Sequence, residues 1–134
     1  YDLKVARNAG FASGGDEFMQ AVKDGKIKLD EAKTNRENIL KLLEGHTDAY
    51  INDRLSILQS LKAVQAEKDK YKNVKILEGT LVSTEKAYLG FTSMDKGKFV
   101  FKDDFVKKFN AAIEDMKAKG EIKAIADKFL ESGK

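Results

Sequence analysis

The chain has no cysteine, no proline, no tryptophan and a single histidine among its 134 residues. Without cysteine it has neither disulfides nor thiolate zinc sites, and no cysteine nucleophile. The absence leaves the compartment open. The lone imidazole, His46, follows a helix-ending glycine with no second imidazole nearby, and reads as a solvated turn residue rather than a ligand or a base. No apolar run approaches the length of a membrane-spanning helix, and no signal-peptide pattern is visible. Neither sign of charge dominates: 25 basic and 22 acidic residues leave a net charge of +3. The two signs are interspersed, so no nucleic-acid footprint stands out. The lysine clusters KDGKIK (23–28) and KDKYKNVK (68–75) are interrupted by Asp24 and Asp69 and read as solvated faces. No catalytic constellation appears: no nucleophile elbow surrounds a serine and no phosphate-binding P-loop is present. The chain is therefore expected to be a non-enzyme that needs no cofactor or metal.

What is there describes a globular chain with a heavily solvated surface, 42% hydrophobic and 35% charged, long enough for one domain or for one lobe plus part of another. Leu3 to Arg7 alternates as a short strand, and Asn8 to Gly15, NAGFASGG, is a glycine-rich turn. Asp16 begins an amphipathic helix with Phe18, Met19 and Val22 inward, stopped by Gly25. Ile27 and Leu29 alternate with Lys26 and Lys28 as a second strand. Thr34 or Asn35 caps the next helix, which turns Ile39, Leu42 and Leu43 inward and ends at Gly45. Ala49–Asn52 is a third strand. Asp53 then caps a long helix, to about Tyr71, packed by Leu55, Leu58, Leu61 and Val64. Val74–Leu77 reads as a fourth strand, Thr80–Ser83 as a crossing segment and Lys86–Thr92 as a fifth strand. The order β-α-β-α-β-α-β predicts an α/β fold, a mainly parallel sheet with helices on both faces and right-handed crossovers. Met94–Phe101 is a loop or short ribbon. Two amphipathic helices follow, one carrying Phe105, Phe109, Ala112, Ile113 and Met116, the other Ile122, Ile125, Ala126, Phe129 and Leu130, with Gly120 between them.

Two places carry candidate chemistry. The third strand ends abruptly in Asn52 and Asp53, and in open α/β sheets ligands bind where strands end at their carboxyl side. A carboxylate there suits an ammonium group; equally, Asp53 is a helix N-cap, and its two oxygens allow both roles. The Asn8–Gly15 turn leads into a helix whose free N–H groups attract anions, or it is an ordinary strand-to-helix connection whose glycines supply positive φ. GGDEF (14–18) spells the diguanylate cyclase signature, but an amphipathic helix follows directly where those enzymes place a hairpin, and there is no room upstream for their metal-binding motif. It reads as coincidence. Phe99 and Phe101 read as packing residues.

Four segments, in order, carry a family resemblance. LKVARNAGFASGGDEF (3–18) resembles the opening of the second lobe of bacterial solute-binding proteins of the polar-amino-acid type. NRENILKLLEGHTDAYIND (35–53) resembles that family's helix, its Gly-Arg-x-Asp-Ala turn and the strand ending in Asp. KAYLGFTS (86–93) is similar to its return strand, and residues 102–129 resemble its closing pair of helices. The chain departs from the family at His46, where Arg is usual, and at Lys128–Phe129, where a Lys-Trp pair is frequent.

The resemblance implies the second lobe of a type 2 periplasmic binding protein over residues 1–83, and over 84–134 the return strand and C-terminal helices of a first lobe whose opening part precedes Tyr1. It implies a periplasmic or extracellular protein. It also implies hinge closure around an amino acid or similar small polar solute, delivery to an ABC permease, and ligand contacts from Gly10, Phe11, Ser13, Gly14, Asn52 and Asp53. A ligand-sensing domain of a signalling protein and a cyclohexadienyl-dehydratase-like enzyme share that fold and stand as alternatives. Tail helices without their usual partner are expected to self-associate or to stay mobile.

Overall fold

A computed structural model describes residues 2–84 and 87–132. The chain divides into two units, Tyr1–Thr84 and Glu85–Ser132. The first runs β1 (Leu3–Asn8), α1 (Gly15–Lys23), β2 (Ile27–Ala32), α2 (Asn35–Leu43), β3 (Ala49–Ile51) and α3 (Arg54–Glu67), closed by a 3-10 turn at Asp69–Tyr71. The second contains α4 (Lys102–Ala118) and α5 (Glu121–Ser132).

The three strands form one parallel sheet in the order β2-β1-β3. β1 is central, so its two faces are both covered, and Val5 and Ala6, which point to opposite faces, are both buried. Side-chain contacts separate the faces. Arg7 meets Met19 of α1 and Glu31 of β2, whereas Asn8 meets Asn35 and Asn38 of α2. Successive side chains along a strand alternate between faces, so α1 lies on one face and α2 on the other. This is the arrangement that right-handed crossovers demand when the chain steps from β1 to β2 and then back past β1 to β3.

The core sits on the α2 face. Ile39, Leu61, Val64 and Tyr71 are buried, with Leu40, Leu43, Tyr50, Ile57 and Ile76 packed against them. Each large apolar side chain buried there contributes about 1.5–3 kcal/mol. The α1 face is thinner, since α1 has no fully buried residue. α2 is bounded as its sequence dictates. Thr34 makes a reciprocal capping box with Glu37, and Gly45 (φ 72°) carries the chain out of the helix, with the His46 N–H bonded to the Lys41 carbonyl at 2.8 Å. Asp48 fixes the start of β3 by accepting the Lys4 N–H through its carboxylate (2.8 Å), while its own N–H donates to the Lys4 carbonyl.

The expected fourth strand does not form. The Val74 carbonyl accepts from the Gln65 side chain at 2.8 Å, Ile76 packs onto the core, and Glu78 pairs with Arg54 at 2.9 Å. The segment thus lies along α3, its carbonyl satisfied by a side chain instead of a strand ladder. The expected fifth strand is also absent among the described residues; Lys86 lies outside them. Tyr88 is 84% and Leu89 55% exposed, so no buried face rewards pairing there. α3 stops at Glu67, short of Tyr71, because Lys68 turns extended (φ −132°, ψ 102°) and the chain tightens into the 3-10 turn.

In the second unit, α4 and α5 join at Gly120 (φ 72°). Phenylalanines gather at the head of α4: Phe91 lies 6.3 Å from Phe99 and 6.0 Å from Phe105, and Phe105 stacks on Phe109 at 5.8 Å. Asp95–Lys98 is a tight turn, not a ribbon; the Asp95 carboxylate accepts from the Gly97 and Phe99 N–H groups.

Candidate functional site

The strand order sets the location. β1 lies at the centre, and the chain leaves its carboxyl end toward α1 on one face, while it leaves the neighbouring β3 toward α3, which packs with α2 on the other. Connections that diverge from adjacent parallel strands open a crevice, and this is where ligands bind in doubly wound sheets. Arg7 pairs with Ile51 in the register, so the next residues, Asn8 and Asn52, stand side by side at the rim, with strands roughly 4.8 Å apart.

One wall is the turn after β1. Gly10 (φ 80°) and Phe11, whose N–H bonds the Asn8 carbonyl at 3.1 Å, are exposed. Ser13 is half-buried, and Gly14 is buried as the N-cap of α1. Gly14 has φ 111°, and a Cβ there would stand 2.5 Å from the Phe18 ring, so only glycine fits. No side chain caps α1. Asp16 and Glu17 occupy its first turn and complement the helix dipole.

The other wall is Asn52–Asp53. Asp53 does cap α3, its Oδ1 accepting the Ser56 N–H at 2.9 Å. Its carboxylate is exposed, and among the described residues nothing donates to Oδ2. Asn52 is tied inward: its Oδ1 accepts the Asp53 N–H at 2.8 Å, and its amide nitrogen donates to the Tyr50 hydroxyl and the Asn35 carbonyl oxygen at 2.6 and 3.0 Å. Among the described residues no hydrogen bond joins Gly10, Phe11, Ser13 or Gly14 to Asn52 or Asp53. What brings the two groups to the same end of the sheet is that their strands are neighbours.

Sequence reasoning passed over the polar floor beneath these walls. Asn8, Asn35, Asn38, Tyr50 and Asn52 form one hydrogen-bonded network. Asn38 is fully buried, and its Oδ1 has no partner among the described residues. Burial pushes the Tyr50 phenol above its ordinary pKa, so it stays protonated and available as a donor. The signal was present in the spacing: Asn38 lies four residues before inward-facing Leu42, one helical turn after Asn35, and Tyr50 and Asn52 share a strand face.

Among the described residues no group of three or more His, Asp or Glu side chains stands close enough to hold a metal. An open groove on the second unit, between Phe91–Ser93 and the first turns of α4, carries Lys102, Asp103 and Lys107; their opposed charges converge on no one chemistry. The chain matches no protein-family model, no curated protein and no solved structure.

Proposed function

We propose that this chain binds a small zwitterionic solute, an amino acid or a close analogue, in the crevice between the ends of β1 and β3. One observation carries the reading. An exposed carboxylate with an uncommitted oxygen, Asp53, sits on the strand adjacent to the one that feeds the uncapped N-terminus of α1. The first group suits an ammonium and the second a carboxylate, so the pair matches the two ends of a zwitterion. Gly10, Phe11, Ser13 and Gly14 supply the carboxylate side, and Asn52 orients Asp53.

The resemblance in residues 3–18 and 35–53 extends the reading to a lobe of a solute-binding protein that acts outside the cytoplasm and serves an ABC permease through hinge closure. The test is a calorimetric titration with a panel of L-amino acids. A charged hydrogen-bonded contact of about 1.5–3 kcal/mol corresponds to a loss of roughly ten- to a hundredfold in affinity. Asp53→Ser keeps a cap for α3 while removing the charge, and should lose that much; unchanged affinity removes Asp53 from the site, and silence toward every amino acid removes the reading.

A further inference from the structure

The polarity of the network beneath the crevice can be worked out from a single fixed donor. The backbone N–H of Asp53 can only donate, so the Asn52 atom 2.8 Å away is its oxygen. The Asn52 nitrogen must then face Asn35, and the Asn35 atom 3.0 Å from it is again an oxygen. That same oxygen lies 2.5 Å from Asn8, which fixes Asn8 as a donor toward it through Nδ2. The Asn8 oxygen is left to accept from Asn38 Nδ2 and from the Tyr50 hydroxyl, each at 2.7 Å. Every amide is thereby assigned without choice.

Asn35 is the member with capacity to spare. Its oxygen faces three polar neighbours, Asn8 Nδ2, Asn52 Nδ2 and, at 3.1 Å, the Tyr50 hydroxyl. Its nitrogen, held on the opposite side of the amide, donates to nothing among the described residues. Asn35 is half-buried at the start of α2, and its nitrogen is not among the fully buried polar atoms without a partner. Asn35 and Asp53 are both bonded to the Asn52 amide, Asn35 through its oxygen and Asp53 through its backbone N–H, so the Asn35 amide belongs to the same network that ends at the Asp53 cap.

We infer that the Asn35 amide N–H₂ is a specificity group of this crevice, selecting amino acids whose side chain ends in a carbonyl or carboxylate oxygen. The inference rests on the amino-acid reading above and adds the class of side chain. A site with donors waiting for an acceptor discriminates against an analogue that lacks one, because the donors are then desolvated and unpaired.

The test uses the whole chain, titrated calorimetrically with L-glutamine, L-glutamate and L-norvaline, which has the same number of carbons and no side-chain acceptor. L-glutamine and L-glutamate should bind at least about tenfold more tightly than L-norvaline. Asn35→Asp keeps the inward oxygen that its neighbours use and replaces the outward N–H₂ by an acceptor. It should abolish that preference, with urea unfolding confirming that the fold is kept. Binding without preference in the wild type, or a preference that survives Asn35→Asp, overturns the inference and leaves the amino-acid reading standing. No binding of any of the three by the wild type overturns the inference, and silence across the full panel of L-amino acids overturns the reading too.

Discussion

Tyr50→Phe removes one oxygen from the centre of the polar floor and nothing else, so its cost can be worked out bond by bond. The hydroxyl donates to Asn8 Oδ1 at 2.7 Å and accepts from Asn52 Nδ2 at 2.6 Å. Neither partner is stranded by the loss: Asn8 Oδ1 keeps the Asn38 amide, and Asn52 Nδ2 keeps the Asn35 oxygen. Two net hydrogen bonds at around 1 kcal/mol each, less the desolvation that a phenol no longer pays, leave a destabilisation of about 1–1.5 kcal/mol. Asn8→Ala is different in kind. Asn38 is fully buried and its oxygen already lacks a partner; deleting the Asn8 oxygen deprives its nitrogen as well. The buried Asn38 amide then keeps only its contact with the Tyr50 hydroxyl, and with the Asn8–Asn35 bond also lost the change costs roughly 2–4 kcal/mol. Urea unfolding followed by far-ultraviolet circular dichroism measures both, with Tyr88→Phe, at an 84% exposed position, as the neutral control. A Tyr50→Phe protein as stable as wild type, or an Asn8→Ala protein no worse than Tyr50→Phe, refutes the assignment of these bonds.

Gly14→Ala should destabilise the first unit by about 1–3 kcal/mol in the same urea assay, since it combines an unfavourable φ with a collision against Phe18, whereas Gly10→Ala, with open space around it, should cost less. The Asp30 carboxylate is held below its usual pKa by hydrogen bonds from Lys41 and Lys4. Its contribution to stability is therefore complete above the unfolded value of about 3.9 and is lost as pH falls below it; Asp30→Asn should flatten the acid limb of the stability profile, and an unaltered limb counts against the pairing.

Much of the first unit was legible because its signals are local. Thr34, one of the two caps expected for α2, Asp53 ahead of an apolar helix, and Gly45 after Leu43 are caps that one turn of chain can satisfy, and each is found in place; the Glu37 half of the Thr34 capping box was not anticipated. Val74–Leu77 carries the alternation of a strand, yet alternation states only that a segment is half-buried and not what buries it. α3 covers Ile76, and Gln65 takes the Val74 carbonyl. The return strand expected over Lys86–Thr92 failed for the complementary reason: its apolar side chains are largely exposed, and propensity without a face to bury is weak. Of the expected site, Asp53 was readable from its position after a strand, since the same residue serves as cap and as rim carboxylate. The network behind it was not, because it joins β1, α2 and β3 across 15 to 42 residues of sequence, and no periodicity links positions that only the crossovers bring together.

The two walls of the crevice differ in stiffness, and that difference bears on how it would work. Asp53 stands on the side of the sheet where Ile39, Leu61 and Val64 are buried; its carboxylate makes the cap bond to Ser56, and its backbone N–H is held by the Asn52 amide, which Asn35 and Tyr50 hold in turn. The Gly10–Gly14 turn leads into a helix with no buried residue and no side-chain cap. A ligand meeting the Asp53 wall would find groups held by side-chain bonds, whereas the glycine turn is held by the Phe11–Asn8 backbone bond and the packing of Gly14 on Phe18. On the proposed reading, selectivity would belong to the β3–α2 side, where donors and acceptors cannot rearrange without breaking one another's bonds, and the glycine turn would contribute its N–H groups. In the proposed site, a residue that reads as a helix cap would offer its second oxygen from a backbone that a network of amides holds in place.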